Sequence, residues 1–187
     1  MTQPKRIGPS IPAASRRARG VGACAVLALA LLAGGGSGCA ARPATPAEAG
    51  GDLRYAAVLV AGDASLPVFD NAAESVAKRL VAGGAVAPDR LRRLSASPAA
   101  VTRTGGRPAS LPNVLDAVAA LRPGPGGGCF VFATSHGEEG RGLFLAATGQ
   151  VLGPTALDRA LAEGCGEAPT VVVVSACFSG GFAAPPM

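Results

Sequence analysis

Apolar residues fall into two kinds of run along the chain, and the alternation between them predicts its elements. Tyr55–Ala61, Cys129–Thr134 and Val171–Val174 are short, nearly continuous apolar stretches, the pattern of strands buried on both faces of a parallel sheet. Arg90–Leu94, after Pro88-Asp89, predicts a shorter strand. Between strands the spacing becomes helical. Asp70–Val81 carries apolar residues at Ala73, Val76, Ala77, Leu80 and Val81, with Asp70 or Asn71 as cap, Glu74 supporting Asn71, and Gly83-Gly84 as the stop. Leu111–Leu121 repeats apolar residues at 111, 114, 115, 118 and 121 behind Ser110, with Pro112 in its first turn. Pro154–Glu163 reads as a third helix that starts at Pro154 and stops at Gly164. Ser95–Pro108 reads as an irregular loop, and Gly142–Ala146 with the Gly149 turn as a short hairpin. This order of strands and helices predicts the α/β class, a three-layer α/β/α sandwich with a mainly parallel sheet.

The first forty residues follow a different pattern. Met1–Gly20 is basic and Val21–Ala33 is an apolar segment of thirteen residues. A membrane-spanning helix needs about 20, so this reads as an export signal. Gly34-Gly35-Gly36-Ser37-Gly38 before Cys39 resembles a bacterial lipobox, which makes Cys39 a candidate for lipidation and membrane attachment. Plain cleavage after Ala40 or Ala41 is the competing reading. Residues 1–40 are thus expected to direct export, 41–53 to form an Ala/Pro/Gly-rich spacer, and 54–187 to fold. The expected location is a membrane-anchored lipoprotein or a periplasmic or extracellular protein. Charge fits this division. The net charge of +5 resides in residues 1–39, which hold five basic residues and no acid, while the remainder has twelve of each. No nucleic-acid partner follows from it.

Candidate chemistry is confined to a few side chains. Of five cysteines, Cys129 and Cys165 read as small apolar core residues, with a disulfide as the alternative in an exported protein. One histidine and no C-x-x-C pair leave no zinc constellation, and no metal or cofactor is expected. There is no P-loop, G-x-S-x-G or G-x-G-x-x-G motif. What stands out is that His136 and Cys177 each follow the end of an apolar strand, where sites gather in parallel α/β sheets. A thiol and an imidazole brought together there form a nucleophile and a proton carrier. Backbone N–H groups of Gly137 and Cys177 would receive the oxyanion. Glycine at 137 avoids a Cβ against the substrate carbonyl, and Gly180-Gly181 lets the chain turn away. The competing reading is a buried structural thiol beside an unrelated histidine, which exposure and adjacency decide between. Glu138 and Glu139 read as solvated charges or as a face toward a basic substrate.

Thr134-Ser135-His136-Gly137 and Ser175-Ala176-Cys177-Phe178-Ser179-Gly180 resemble the His-Gly and Ala-Cys signatures of legumain-like cysteine peptidases, which share a caspase-like fold. Val58–Gly62 followed by Phe69–Ala72 is similar to the start of that domain, and the resemblance runs from about Tyr55 to Ala183. It implies a metal-independent Cys–His dyad acting on peptide or protein substrates, with Cys177 as nucleophile, His136 as base and Gly137 as oxyanion donor. Asp63, Asp70 and Asn71 are the candidates for the residue that orients the histidine. Ser175 stands where the family has a glutamate that shapes an Asn-binding pocket. Ten residues follow Cys177, whereas the resemblance implies further strands. The expectation is therefore a domain incomplete at its C-terminal side, completed by a partner segment, or an inactive caspase-like binding lipoprotein.

Overall fold

The computed structural model describes residues 54–183. The expected export signal over residues 1–40 with Cys39, the expected 41–53 spacer and residues 184–187 lie outside the described residues. Five strands form one parallel sheet: β1 (Tyr55–Ala61), β2 (Leu91–Ser95), β3 (Arg107–Pro108), β4 (Gly128–Thr134) and, last in the chain, β8 (Thr170–Ser175), in the order β3-β2-β1-β4-β8. A second, antiparallel sheet of three short strands is inserted after β4: β5 (Gly137–Glu138), β6 (Gly142–Leu145) and β7 (Gln150–Leu152). Among the described residues there are four helices, α1 (Pro67–Ala82), α2 (Pro98–Thr104), α3 (Leu111–Ala119) and α4 (Pro154–Cys165).

Alternation along the strands divides the core in two. Ala57 and Leu59 of β1, Leu91 of β2 and Phe132 of β4 face α1 with Ala77. Ala56, Val58 and Val60 of β1 and Cys129, Val131 and Ala133 of β4 face the other way, into a larger cluster with Val114, Ala117 and Val118 of α3 and Leu157 and Leu161 of α4. Leu143, Leu145 and Leu152 of the small sheet are fully buried in that larger cluster. Helices therefore cover both faces of a mainly parallel sheet, the α/β layering expected from the chain order.

Several local expectations need correction. α1 begins three residues before Asp70, with Pro67 in its first turn, because Asp70 does not cap it. The Asp70 carboxylate instead accepts a hydrogen bond from the Ser95 hydroxyl at 2.7 Å. The stretch 95–108 is not irregular: the Ser97 side chain caps α2, Pro98 starts it and Gly105, at φ 64°, ends it in the left-handed region. α4 runs through Gly164 to Cys165, and Gly164 is there for packing, since a Cβ on it would strike the Val118 carbonyl oxygen of α3. Cys129 and Cys165 are joined in a disulfide that ties β4 to the end of α4, with Cα atoms 6.1 Å apart. The C-terminal valine run is not buried on both faces. Among the described residues β8 is an edge strand: Val172 and Val174 pack on the larger cluster, whereas Val171 and Val173 are each 40% exposed.

Candidate active site

Register places the chemistry. Ala61 of β1, Thr134 of β4 and Ser175 of β8 lie on one rung of the sheet. Asp63, His136 and Cys177 each come two residues after that rung, on three adjacent strands spaced about 4.8 Å apart. They therefore leave the carboxyl edge of the sheet side by side, in the order Asp, His, Cys. Both His136 and the free thiol of Cys177 are exposed, so the buried-thiol reading of Cys177 does not hold.

Gly137 binds the two turns together. A Cβ on this residue would strike the Cys177 carbonyl oxygen and lie 2.7 Å from the Cys177 carbonyl carbon. The backbone of the His136–Gly137 turn thus packs directly on the backbone of Cys177, an approach open to glycine alone. Gly137 pairs with Leu143 of β6, while the Phe144 N–H donates to the His136 carbonyl at 2.9 Å. Gly137 consequently occupies a non-hydrogen-bonded pair, and its N–H points away from β6. That leaves this N–H free of the ladder, as an oxyanion donor must be.

The small sheet fixes these turns from above. Besides the bond to His136, the Ala146 N–H donates to the Gly62 carbonyl at 2.8 Å, and the Gly62 N–H donates to the Thr134 carbonyl at 2.8 Å. Gly62 is crowded as well, for a Cβ there would lie 2.7 Å from the Phe144 oxygen and 2.8 Å from the Ser135 Cβ. The end of β1 is locked onto the end of β4 immediately before Asp63 and His136.

Of the three candidates to orient the histidine, Asp63 is the one that shares the row with His136 at the sheet edge. Asp70 is engaged by Ser95, and Asn71 is exposed on α1, its backbone carbonyl accepting from the Ser75 hydroxyl. Asp63 is buried, and its carboxylate accepts the Ser65 N–H at 2.5 Å. Hydrogen bonds from the Ser65 side chain and backbone hold the Asp63 carboxyl below its ordinary value of 3.8; burial opposes this, and the charge of His136 adds to it. Phe69, on the first turn of α1, meets the imidazole edge-on, with ring centroids 5.1 Å apart and planes at 80°. Sequence reading gave Phe69 no part in the site, and counting residues past a shared rung would have pointed to Asp63.

A scan of known protein-family models finds none that matches this chain. A search of curated proteins finds no similar sequence either. Among the described residues no group of three His, Cys, Asp or Glu side chains is placed to hold a metal ion, and no helix is long and apolar enough to cross a membrane. Glu138 is ion-paired with Arg141 across the β5–β6 turn, while Glu139 is exposed.

Beyond Cys177 the chain turns sharply. Phe178 has φ 57° and ψ 20°, the left-handed region, and the short 3-10 turn Ser179–Phe182 follows. Phe182 is buried against β6, whereas Phe178 is 60% exposed.

Proposed function

We propose that this chain is a cysteine-type peptidase that hydrolyses peptide bonds with a Cys177–His136 dyad, on a caspase-like, legumain-like scaffold. The observation that carries the reading is that His136 and Cys177 each come two residues beyond a common rung and are both exposed, with Gly137, next to His136, packed on the backbone of Cys177. In this reading the Cys177 sulfur attacks the scissile carbonyl carbon while its proton passes to His136. Charge developing on the carbonyl oxygen is received by the N–H groups of Gly137 and Cys177. The tetrahedral adduct collapses as the carbon–nitrogen bond breaks, and His136 returns the proton to the departing amine. A water molecule, deprotonated by His136, then attacks the thioester, and the carboxylic acid leaves as the thiol regains its proton. Asp63 acts through His136 as a positioning residue, with Phe69 steadying the ring from α1. No metal or organic cofactor enters any of these steps.

Export and attachment through a lipid on Cys39, or release after cleavage at Ala40 or Ala41, complete this proposal and place the substrate in the cell envelope or outside it. The mass of the mature N-terminus distinguishes the two. For the dyad, the test is labelling by a thiol-directed electrophilic peptide. Wild type should be labelled at residue 177, His136→Ala should be labelled far more slowly, and Cys177→Ala not at all. Equal labelling of wild type and Cys177→Ala removes the nucleophile.

A second reading draws support from β8. Among the described residues its outer edge is unpaired in the sheet order, and it carries exposed Val171 and Val173, a surface suited to a further strand from a partner segment. A caspase-like binding lipoprotein without turnover would use that edge. Intact folding with no hydrolysis across a peptide library favours this alternative.

A further inference from the structure

Among the described residues, Phe178 is the one non-glycine residue with a positive φ, and it directly follows the proposed nucleophile. A side chain is held in that region at a cost, and such costs persist where something else requires them. Core burial is not what requires it, because the ring is 60% exposed. The ring instead forms a wall of a groove completed by Gly140, Arg141, Pro154, Gly181 and Phe182. This groove lies between the β5–β6 turn, the start of α4 and the turn after Cys177, and one of its walls is Phe178, the next residue in the chain after the proposed nucleophile.

Size and charge define what fits there. The groove has a volume of about 170 Å³. An apolar cavity of roughly 150 Å³ admits benzene, while pockets for drug-sized ligands begin at about 300 Å³. One benzene-sized side chain fills it. Its lining is two phenyl rings, a proline and glycines, and its single cation, Arg141, is already paired with Glu138. No uncompensated charge is left to reward an acidic residue.

We propose that this groove is a substrate subsite that selects a large apolar side chain, of phenylalanine, leucine or methionine size, on a residue flanking the scissile bond, and that Phe178 is its specificity-determining residue. This rests on the peptidase reading above and adds the substrate class to it. The left-handed backbone at Phe178 serves to swing the ring out of the sheet end and over the bound side chain.

The test is digestion of a degenerate peptide library by the full chain, with cleavage positions read by mass spectrometry, and iodoacetamide alkylation of Cys177 run in parallel. Wild type should enrich Phe, Leu and Met at one position beside the cut, with Ala, Asp and Glu depleted there. In Phe178→Ala the preference for Phe over Ala at that position should fall by about tenfold. Phe178→Gly, which relieves the backbone, should show the same loss, and Phe178→Leu should retain the preference. These two variants keep the test independent of any folding defect in the alanine variant. Cleavage without apolar enrichment, or enrichment that survives in both Phe178→Ala and Phe178→Gly, overturns the subsite while leaving the peptidase standing. Absence of any cleavage, with Cys177 still alkylated by iodoacetamide, overturns the peptidase reading and the subsite together.

Discussion

Gly137→Ala is the substitution that probes the site most directly, because it keeps every hydrogen-bonding group and adds one carbon. That carbon would meet the Cys177 carbonyl oxygen, with the carbonyl carbon at 2.7 Å and the Cys177 nitrogen at 3.1 Å, where ordinary contact begins near 3.4 Å. All three opposing atoms are backbone, so no rotamer change relieves the clash. One of the two turns has to retreat by roughly 1.5 Å to restore ordinary contact. Overpacking of this kind costs about 1–3 kcal/mol, and the exposure of the Cys177 turn favours the lower half of that range. For a domain of this size that lowers the melting temperature by about 4–8 °C. Catalysis should suffer more than stability, since a displacement of about 1 Å between reacting groups costs about 100-fold. Alkylation of Cys177 by iodoacetamide, which needs no oxyanion donor, should change little. Gly180→Ala serves as control: it lies near Cys177, nothing stands within 4 Å of its added carbon, and its φ is not positive. It should melt within about 0.5 kcal/mol of wild type. A Gly137→Ala protein with the melting point and peptide-labelling rate of wild type refutes the packing of the two turns, and with it the site.

Asp63→Asn preserves the acceptor for Ser65 but removes the charge facing His136, and it should lower kcat by about tenfold to a hundredfold with KM little changed. Because the Asp63 carboxyl titrates below 3.8 in the fold, its ionised form stabilises the protein above the unfolded value, and that contribution disappears as pH falls through the folded value. The stability gap between wild type and Asp63→Asn in urea should therefore narrow below about pH 4; a gap constant from pH 7 to pH 2 contradicts the assignment. Replacing both Cys129 and Cys165 by alanine opens a loop with a sequence separation of 36 and should cost about 4 kcal/mol by chain entropy, seen as a lower urea midpoint. A thiol count in denaturant that does not rise by two on adding reductant rules out the bridge. Val173→Lys on the exposed face of β8 should leave stability within about 0.5 kcal/mol and reduce any self-association seen by analytical ultracentrifugation. A melting point lowered by several degrees would mean that this face is covered after all.

The layer architecture was legible because its signals are local. β1 matches the apolar run Tyr55–Ala61 residue for residue, and α3 follows Ser110, whose side chain accepts from the Asn113 N–H as a cap should. Errors arose where a residue type served a non-local purpose. Gly164 reads as a helix stop, yet it lets α4 approach the Val118 carbonyl. Asp70 reads as a cap, yet it reaches Ser95, distant in sequence. α2 spans seven residues and offers no apolar period to detect, although Ser97-Pro98 and Gly105 mark its two ends. The bare face of β8 was unreadable in principle, since an alternating burial pattern cannot be told from a run of identical valines.

The site shows the same division between local and spatial information. His136 and Cys177 announce themselves one at a time, as polar residues at the ends of apolar strands. Their adjacency depends on strand order and register, and neither is written at those two positions. Once β4 and β8 pair with Thr134 opposite Ser175, an equal count of two residues brings the imidazole and the sulfur to the same edge. The same count on β1, where Ala61 stands opposite Thr134, brings Asp63 into the row and leaves Asp70 and Asn71 on the helix beyond it. Which of the three carboxylate or amide candidates stands in the row with His136 is thus a question about register and not about residue type. Gly137 converts adjacency into contact, because the absence of a side chain at that one position lets the two turns share a surface. A sequence with alanine there would carry the same two signatures and strand pattern, but its added carbon would strike the Cys177 carbonyl and force the two turns apart.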